Sequence, residues 1–277
     1  MRGEFRRALE LGEEMVAFAE RAGDQDLGFN GRARIGITLA WMGEYRLARE
    51  TLEQSLSSRT GRASDFSGNR GVLLFNALYH LSWVQLENRF GNPAFLSLDP
   101  FARAMILQHQ AANRTDFIRD FRDSRERTEL LLELSRKHGF PYYLGCALVR
   151  LGRIAVEEGK AADGIETMLE GMRTFREAGE DITHTYFAGL LAEAFLRVAR
   201  GAEGLAVIEE AITRSASSGQ RFCEAETHRL RGELLGYTGA PDSQSERSMR
   251  KALAVAQEQA AKSWELRAAT SLARFLK

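Results

Sequence analysis

The stretch Gly152-Arg-Ile-Ala-Val-Glu-Glu-Gly159-Lys-Ala161-Ala-Asp-Gly164-Ile-Glu-Thr-Met168-Leu-Glu-Gly171 decides how the rest of the chain is read. A small residue stands at 152, a second seven positions on at 159, and a third five further at 164. An apolar position at 168 and another small one at 171 follow. Small residues at such offsets let two antiparallel helices cross with their backbones close; a side chain larger than Ala would hold them apart. Gly159 stops the first helix, because a left-handed cap position tolerates glycine best. The unit is therefore helix, short turn, helix.

Working outward, the same offsets recur at Gly36, Gly43, Tyr45, Ala48, Leu52 and Ser55, and again at Ala192, Ala199, Gly201, Gly204, Ile208 and Ala211. A fourth copy begins at Gly232, expands by one residue through Gly236-Tyr-Thr-Gly-Ala-Pro241, and resumes at Ser245, Met249 and Ala252. The anchors 152, 192 and 232 are 40 residues apart each time, the mark of a repeat architecture. The expected fold is all-α, a right-handed superhelical solenoid of antiparallel helix pairs in units of about 40 residues, with 1–277 as one domain.

The helical pattern places a second helix at 4–22, a whole unit at 26–42 and 45–58, and a helix at 71–89. Asp99-Pro100 opens a helix to 113, with Asp as N-cap and Pro at the first helical position. A long helix over 117–138 follows, then units at 141–179, 181–219 and 221–260, with Gly139, Gly179 and Gly219 as stops. A last helix opens at Ser263. Two stretches read as irregular: a polar loop at 57–70, and 89–99, where room for a whole second helix is missing. That shortened unit predicts a kink or a crevice. The four prolines, at 93, 100, 141 and 241, all fall between helical patterns.

Composition narrows the function. Lys plus Arg and Asp plus Glu are each 38, so no net field favours nucleic acid or an anionic membrane. The arginines of Arg119-Asp-Phe-Arg-Asp-Ser-Arg-Glu-Arg-Thr-Glu129 alternate with carboxylates and predict an ion-paired, solvated helix face. No apolar run reaches the roughly 18 residues of a membrane helix, and no apolar signal core follows the N-terminus, so a cytoplasmic protein is expected. Cys146 and Cys223 lie in no metal-binding spacing and are expected to be buried, reduced core residues.

The small-residue placement resembles the tetratricopeptide motif in its longer-helix variants. Two C-terminal stretches, Glu224-Ala-Glu-Thr-His-Arg-Leu-Arg-Gly-Glu-Leu-Leu235 and Ala261-Lys-Ser-Trp-Glu-Leu-Arg-Ala-Ala-Thr-Ser-Leu-Ala-Arg274, are more specific. They resemble the C-terminal tetratricopeptide region of bacterial signalling proteins in which an adenylate or guanylate cyclase or DNA-binding domain precedes a STAND-type ATPase. A more distant similarity is to the helical sensor region of maltose-regulator-type transcription activators. The resemblance implies a bacterial sensor or scaffold arm that restrains or releases an ATPase. Neither a phosphate-binding loop nor a cyclase metal-binding carboxylate motif can be matched here, so catalysis and cofactors are expected to be absent. Both ends read as cut mid-repeat, which predicts a fragment, a split gene, or a homodimer that covers its ends.

No acid/base, nucleophile or metal constellation emerges. The five histidines, 80, 109, 138, 184 and 228, stand singly. Adjacent carboxylates Glu13-Glu14, Glu157-Glu158 and Glu209-Glu210 point about 100° apart on a helix and do not face one another. The inner groove is the better candidate. Positions six and three before each anchor, and one, four and five after it, point inward and give Asn30, Trp41, Arg153, Glu157, Tyr186, Glu193, Arg197, Glu226, Arg229 and Glu233. This lining mixes signs, which suits a protein or peptide partner of mixed charge anchored on Trp41 or Tyr186. The alternative is a metabolite held in the groove or in the crevice near 90–99.

Overall fold

The computed structural model describes residues 4–57, 99–112, 120–179 and 183–277. Among them the chain forms twelve α-helices and no strand. They are α1 (Phe5–Ala22), α2 (Gln25–Trp41), α3 (Tyr45–Ser57), α4 (Pro100–Ala112), α5 (Phe121–His138) and α6 (Pro141–Glu157). Then come α7 (Ala161–Glu177), α8 (His184–Arg197), α9 (Gly201–Ser218), α10 (Glu224–Tyr237), α11 (Asp242–Glu258) and α12 (Lys262–Phe275). The loop expected at 57–70, the helix at 71–89, most of the shortened unit at 89–99 and the start of the helix expected from 117 lie outside the described residues.

Helix ends follow the capping residues. Asp99 accepts hydrogen bonds from the amides of Phe101 and Ala102, both at 3.0 Å, with Pro100 opening α4. Asp24 and Asp120 cap α2 and α5 in the same way. At the other ends, residues with positive φ fall at 139, 159, 179, 199, 219 and 239, one every 20 residues, and then at 260. The extra residue before the last of these is the one-residue expansion visible at Pro241. Glycine fills this left-handed position except at Ala199 (φ 62°) and Ala260 (φ 54°).

Consecutive helices pack against one another within α1–α3 and within α4–α12, and each of α4, α6, α8 and α10 also touches the helix two further on. The even-numbered helices from α4 to α12 thus form one continuous layer. Packing within a pair is antiparallel: Gly145 lies by Phe175 and Gly171, while Gly152 lies by Met168 and Gly164. A Cβ on Gly36 would meet Leu52, and one on Gly232 would come within 2.6 Å of Met249 Cγ. The small anchor residues are therefore where the helices cross.

The main core runs along this layer. Phe175 of α7 and Phe187 of α8, both fully buried, stack at 4.9 Å between centroids, and Leu131, Cys146, Met168 and Leu191 pack in the same cluster. Each such large apolar side chain contributes roughly 1.5–3 kcal/mol. The charged run of α5 is a half-exposed face laced by Arg127–Asp123 (2.9 Å) and Arg125–Glu158 (2.8 Å). Cys146 and Cys223 are both buried free thiols. No helix among the described residues is long and apolar enough to cross a membrane.

Candidate functional site

The layer of even-numbered helices places charged residues 40 positions apart opposite one another. Arg153 of α6 donates to Glu193 of α8 at 3.0 Å, and Arg197 of α8 donates to Glu157 of α6 at 2.8 Å; each pair is 40 residues apart. One unit further, Arg229 of α10 pairs with Glu226 (2.7 Å) and Glu233 (2.6 Å) on its own helix. From α12, Arg267 donates to Glu226 at 2.6 Å, and the Ser271 hydroxyl donates to Glu233 at 2.7 Å. Arg267 also lies 3.9 Å from Glu193, which ties the two rungs together.

This network is largely withdrawn from water: side-chain exposure is 5% for Arg153, 7% for Arg229, 12% for Glu226 and 16% for Glu193. Burial alone would lower the Arg229 pKa, but Glu226, Glu233 and Glu193 outweigh it and hold the guanidinium charged. Three guanidinium groups, of Arg153, Arg229 and Arg267, meet three carboxylates, of Glu193, Glu226 and Glu233. The charges satisfy one another across the units and leave no net field for an acidic or basic tail.

An aromatic seat adjoins the network. Phe222, in the connector before α10, is in ring contact with Trp41 (5.0 Å), Tyr45 (6.3 Å) and Tyr186 (6.0 Å). The amides of Arg221 and Phe222 both donate to the Trp41 carbonyl at 3.2 Å. That carbonyl is the last of α2, and the connector caps it. The Tyr45 hydroxyl donates to the Phe222 carbonyl, and its ring packs against the cluster of Ala225, Val255 and Trp264. Burial raises the Tyr45 phenol above its ordinary pKa. The turn between α2 and α3 thus sits against the connector before α10 and the cluster formed by α10, α11 and α12.

Of the ten groove residues expected from the sequence, the structure joins Arg153, Glu193, Glu226, Arg229 and Glu233 in one network beside Tyr186. Trp41 reaches the same region through Phe222, Glu157 and Arg197 form a separate pair, and Asn30 joins none of these contacts. Sequence reasoning missed Phe222, Tyr45, Trp264 and Arg267. Arg267 carried a signal: it stands 41 residues after Glu226, the 40-residue spacing plus the one-residue expansion.

Between the network and Trp264 lies a cavity of about 20 Å³, lined by Arg153, Tyr186, Glu193, Cys223, Glu226 and Arg267 among others. That is room for about one water molecule, against roughly 300–1,000 Å³ for small-molecule sites. A second, open concavity of about 580 Å³ lies on α1, over the exposed Leu11 and Phe18. No group of three or more His, Cys, Asp or Glu that could hold a metal ion occurs among the described residues.

No family model matches this chain, and no curated protein matches it. Among solved structures, the crystal structure of BtubC (BKLC) from P. vanneervenii is similar over 92% of each chain, at 13% identity and a TM-score of 0.46.

Proposed function

We propose that the chain is a right-handed solenoid of tetratricopeptide-like helix pairs that works by holding a protein partner on its inner face. The observation that carries this reading is the aromatic seat at Phe222, which receives the chain's own α2–α3 turn by tilted and edge-on ring contacts and backbone hydrogen bonds. The 40-residue recurrence of the helix pairs and of the inner-face ion pairs supports the solenoid geometry. In a parent signalling protein the partner would be a neighbouring ATPase or cyclase domain, and the chain itself would be a cytoplasmic scaffold or sensor without catalysis. The mixed charges of the groove hold the units in register, and partner selection falls to the aromatic residues.

The metabolite-sensing alternative has less to stand on, since the cavity beside Tyr186 holds about one water. The crevice expected near 90–99 belongs to residues outside those described, apart from Asp99. A thermal-shift panel separates the readings. A ligand at about 100 times its dissociation constant stabilises by about 2.7 kcal/mol. No metabolite is expected to produce such a shift, while a peptide array should yield saturable ligands whose binding Tyr186→Ala abolishes. A metabolite shift lost in Tyr186→Ala would overturn the protein-binding reading.

A further inference from the structure

We propose that the turn between α2 and α3 is a built-in ligand of the inner face, and that the seat at Phe222 selects partners presenting the same feature: the end of a helix bearing aromatic-x-Gly-x-aromatic. The inference rests on the protein-binding reading above and adds to it both the class of partner segment and an internal competitor. The turn Trp41-Met-Gly43-Glu-Tyr45 meets the seat with four kinds of contact. Its first aromatic packs against Phe222 with tilted rings, its helix-ending carbonyl takes two amides, its second aromatic donates to the Phe222 carbonyl, and its glycine lies against Gln259.

The glycine is the selective element. Gly43 has φ 79°, and a Cβ there would run into Gln259 and lie 3.2 Å from Arg221 Cβ. Gln259 is held in place by its own donation to the Arg221 carbonyl at 2.9 Å. A side chain at this position is thus refused twice, by backbone conformation and by the wall of the seat. Charge plays little part: Arg221 at the rim is already paired with Glu224 and Glu258.

The hold on the turn is local. Helices α1, α2 and α3 pack chiefly on one another, and none makes an extensive helix-to-helix contact with α4 to α12 among the described residues. Release of the turn therefore uncovers the seat without parting an extensive helix-to-helix contact among the described residues. A partner segment must first wait for that release, so its apparent affinity is reduced by the fraction of molecules that are open.

The test is a fluorescence-anisotropy titration of a labelled peptide of residues 37–49 into the full-length protein. The wild type is compared with Trp41→Ala/Tyr45→Ala, which frees the seat, and with that variant carrying Phe222→Ala. Circular dichroism and thermal melts check that each folds, and Tyr45→Phe, which loses only the hydroxyl, serves as a mild second release. The freed variant is expected to bind the peptide about tenfold tighter than wild type or more, if at most about a tenth of the wild type is open. Tyr45→Phe should fall between them, Phe222→Ala should abolish binding, and a peptide with Gly43→Ala should fail. Equal binding by wild type and freed variant, without dependence on Phe222, would overturn the proposal. Array peptides that bind both proteins equally would keep the protein-binding reading and overturn the internal ligand. Capture of the self peptide by the freed variant, with no array peptide bound by either, would sustain the internal ligand and overturn the wider reading.

Discussion

A Cβ placed on Gly164 would lie 2.6 Å from the carbonyl oxygen of Gly152, and a Cβ on Gly152 would press as closely on the carbonyl of Gly164. The two glycines meet backbone to backbone, where nothing can rotate aside. Gly164→Leu should therefore cost about 3 kcal/mol, at the upper end of overpacking penalties. Exposed Glu166→Ala on the same helix should stay within about 0.5 kcal/mol. Urea unfolding of the two variants checks the pair; similar costs would mean that the crossing is elsewhere.

Ala199 and Gly219 occupy equivalent helix ends, at φ 62° and 71°. Only the alanine suffers the Cβ clash of the left-handed region, and a Cβ at Gly219 would meet nothing within 4 Å. Ala199→Gly should stabilise by about 1 kcal/mol and Gly219→Ala should cost about as much, since conformation alone differs. Thermal melts of both variants test the sign.

The Arg153–Glu193 pair joins neighbouring units while almost hidden from water. Removing one partner by Glu193→Ala takes the carboxylate from beside a buried guanidinium and should cost about 3–5 kcal/mol. Replacing both, by Arg153→Met with Glu193→Leu, should restore most of that, within about 1 kcal/mol of wild type. Denaturant midpoints of the single and double variants read this directly.

His228 on α10 gives the fold a sensitivity to acid. Burial lowers its pKa, the cations Lys251 and Arg231 lower it further, and Glu224 and Glu209 only partly oppose them. The folded protein thus binds its proton less readily than the unfolded chain. The stability this confers is present above the ordinary imidazole value and is lost as pH falls through the folded value. His228→Gln should flatten the decline in stability as pH falls below the ordinary imidazole value of about 6.5.

Cys223 behaves oppositely at the alkaline end. Burial pushes its thiol up to about 12, so the stability of the buried neutral form is intact below about pH 8.5 and declines from there until the folded thiol itself ionises. At pH 8 a thiol reagent should label neither Cys223 nor the fully buried Cys146 in the folded protein, and both once it is unfolded.

Much of the helical frame was legible in the sequence because its determinants are local. The glycines at 139, 159, 179 and 219 mark helix ends, and 36, 152, 164 and 232 mark close crossings. The inner-face residues were legible as positions, since spacing decides which side of a helix a residue occupies. Their pairing was not, because a ladder of 40-residue steps neutralises charges that look available when read singly. Simple periodicity points from Glu226 to Leu266, which is 70% exposed; the expansion near Pro241 moves the partner to Arg267. The seat was legible only through Trp41 and Tyr186, expected as anchors and both in ring contact with Phe222. Tyr45 and Phe222 meet across 177 residues, and Phe222, expected inside the unit at 221–260, lies in the connector before α10.

The most direct test of an inner face that receives a protein segment is amide hydrogen exchange at Arg221 and Phe222 in the full-length protein. Both amides donate to the Trp41 carbonyl and lie outside helix α10. Exchange should be slow in wild type and rise at least about tenfold in Trp41→Ala/Tyr45→Ala, while the amides within α10 keep their protection. Exchange at open-loop rates in the wild type would contradict it, because the seat would then hold nothing.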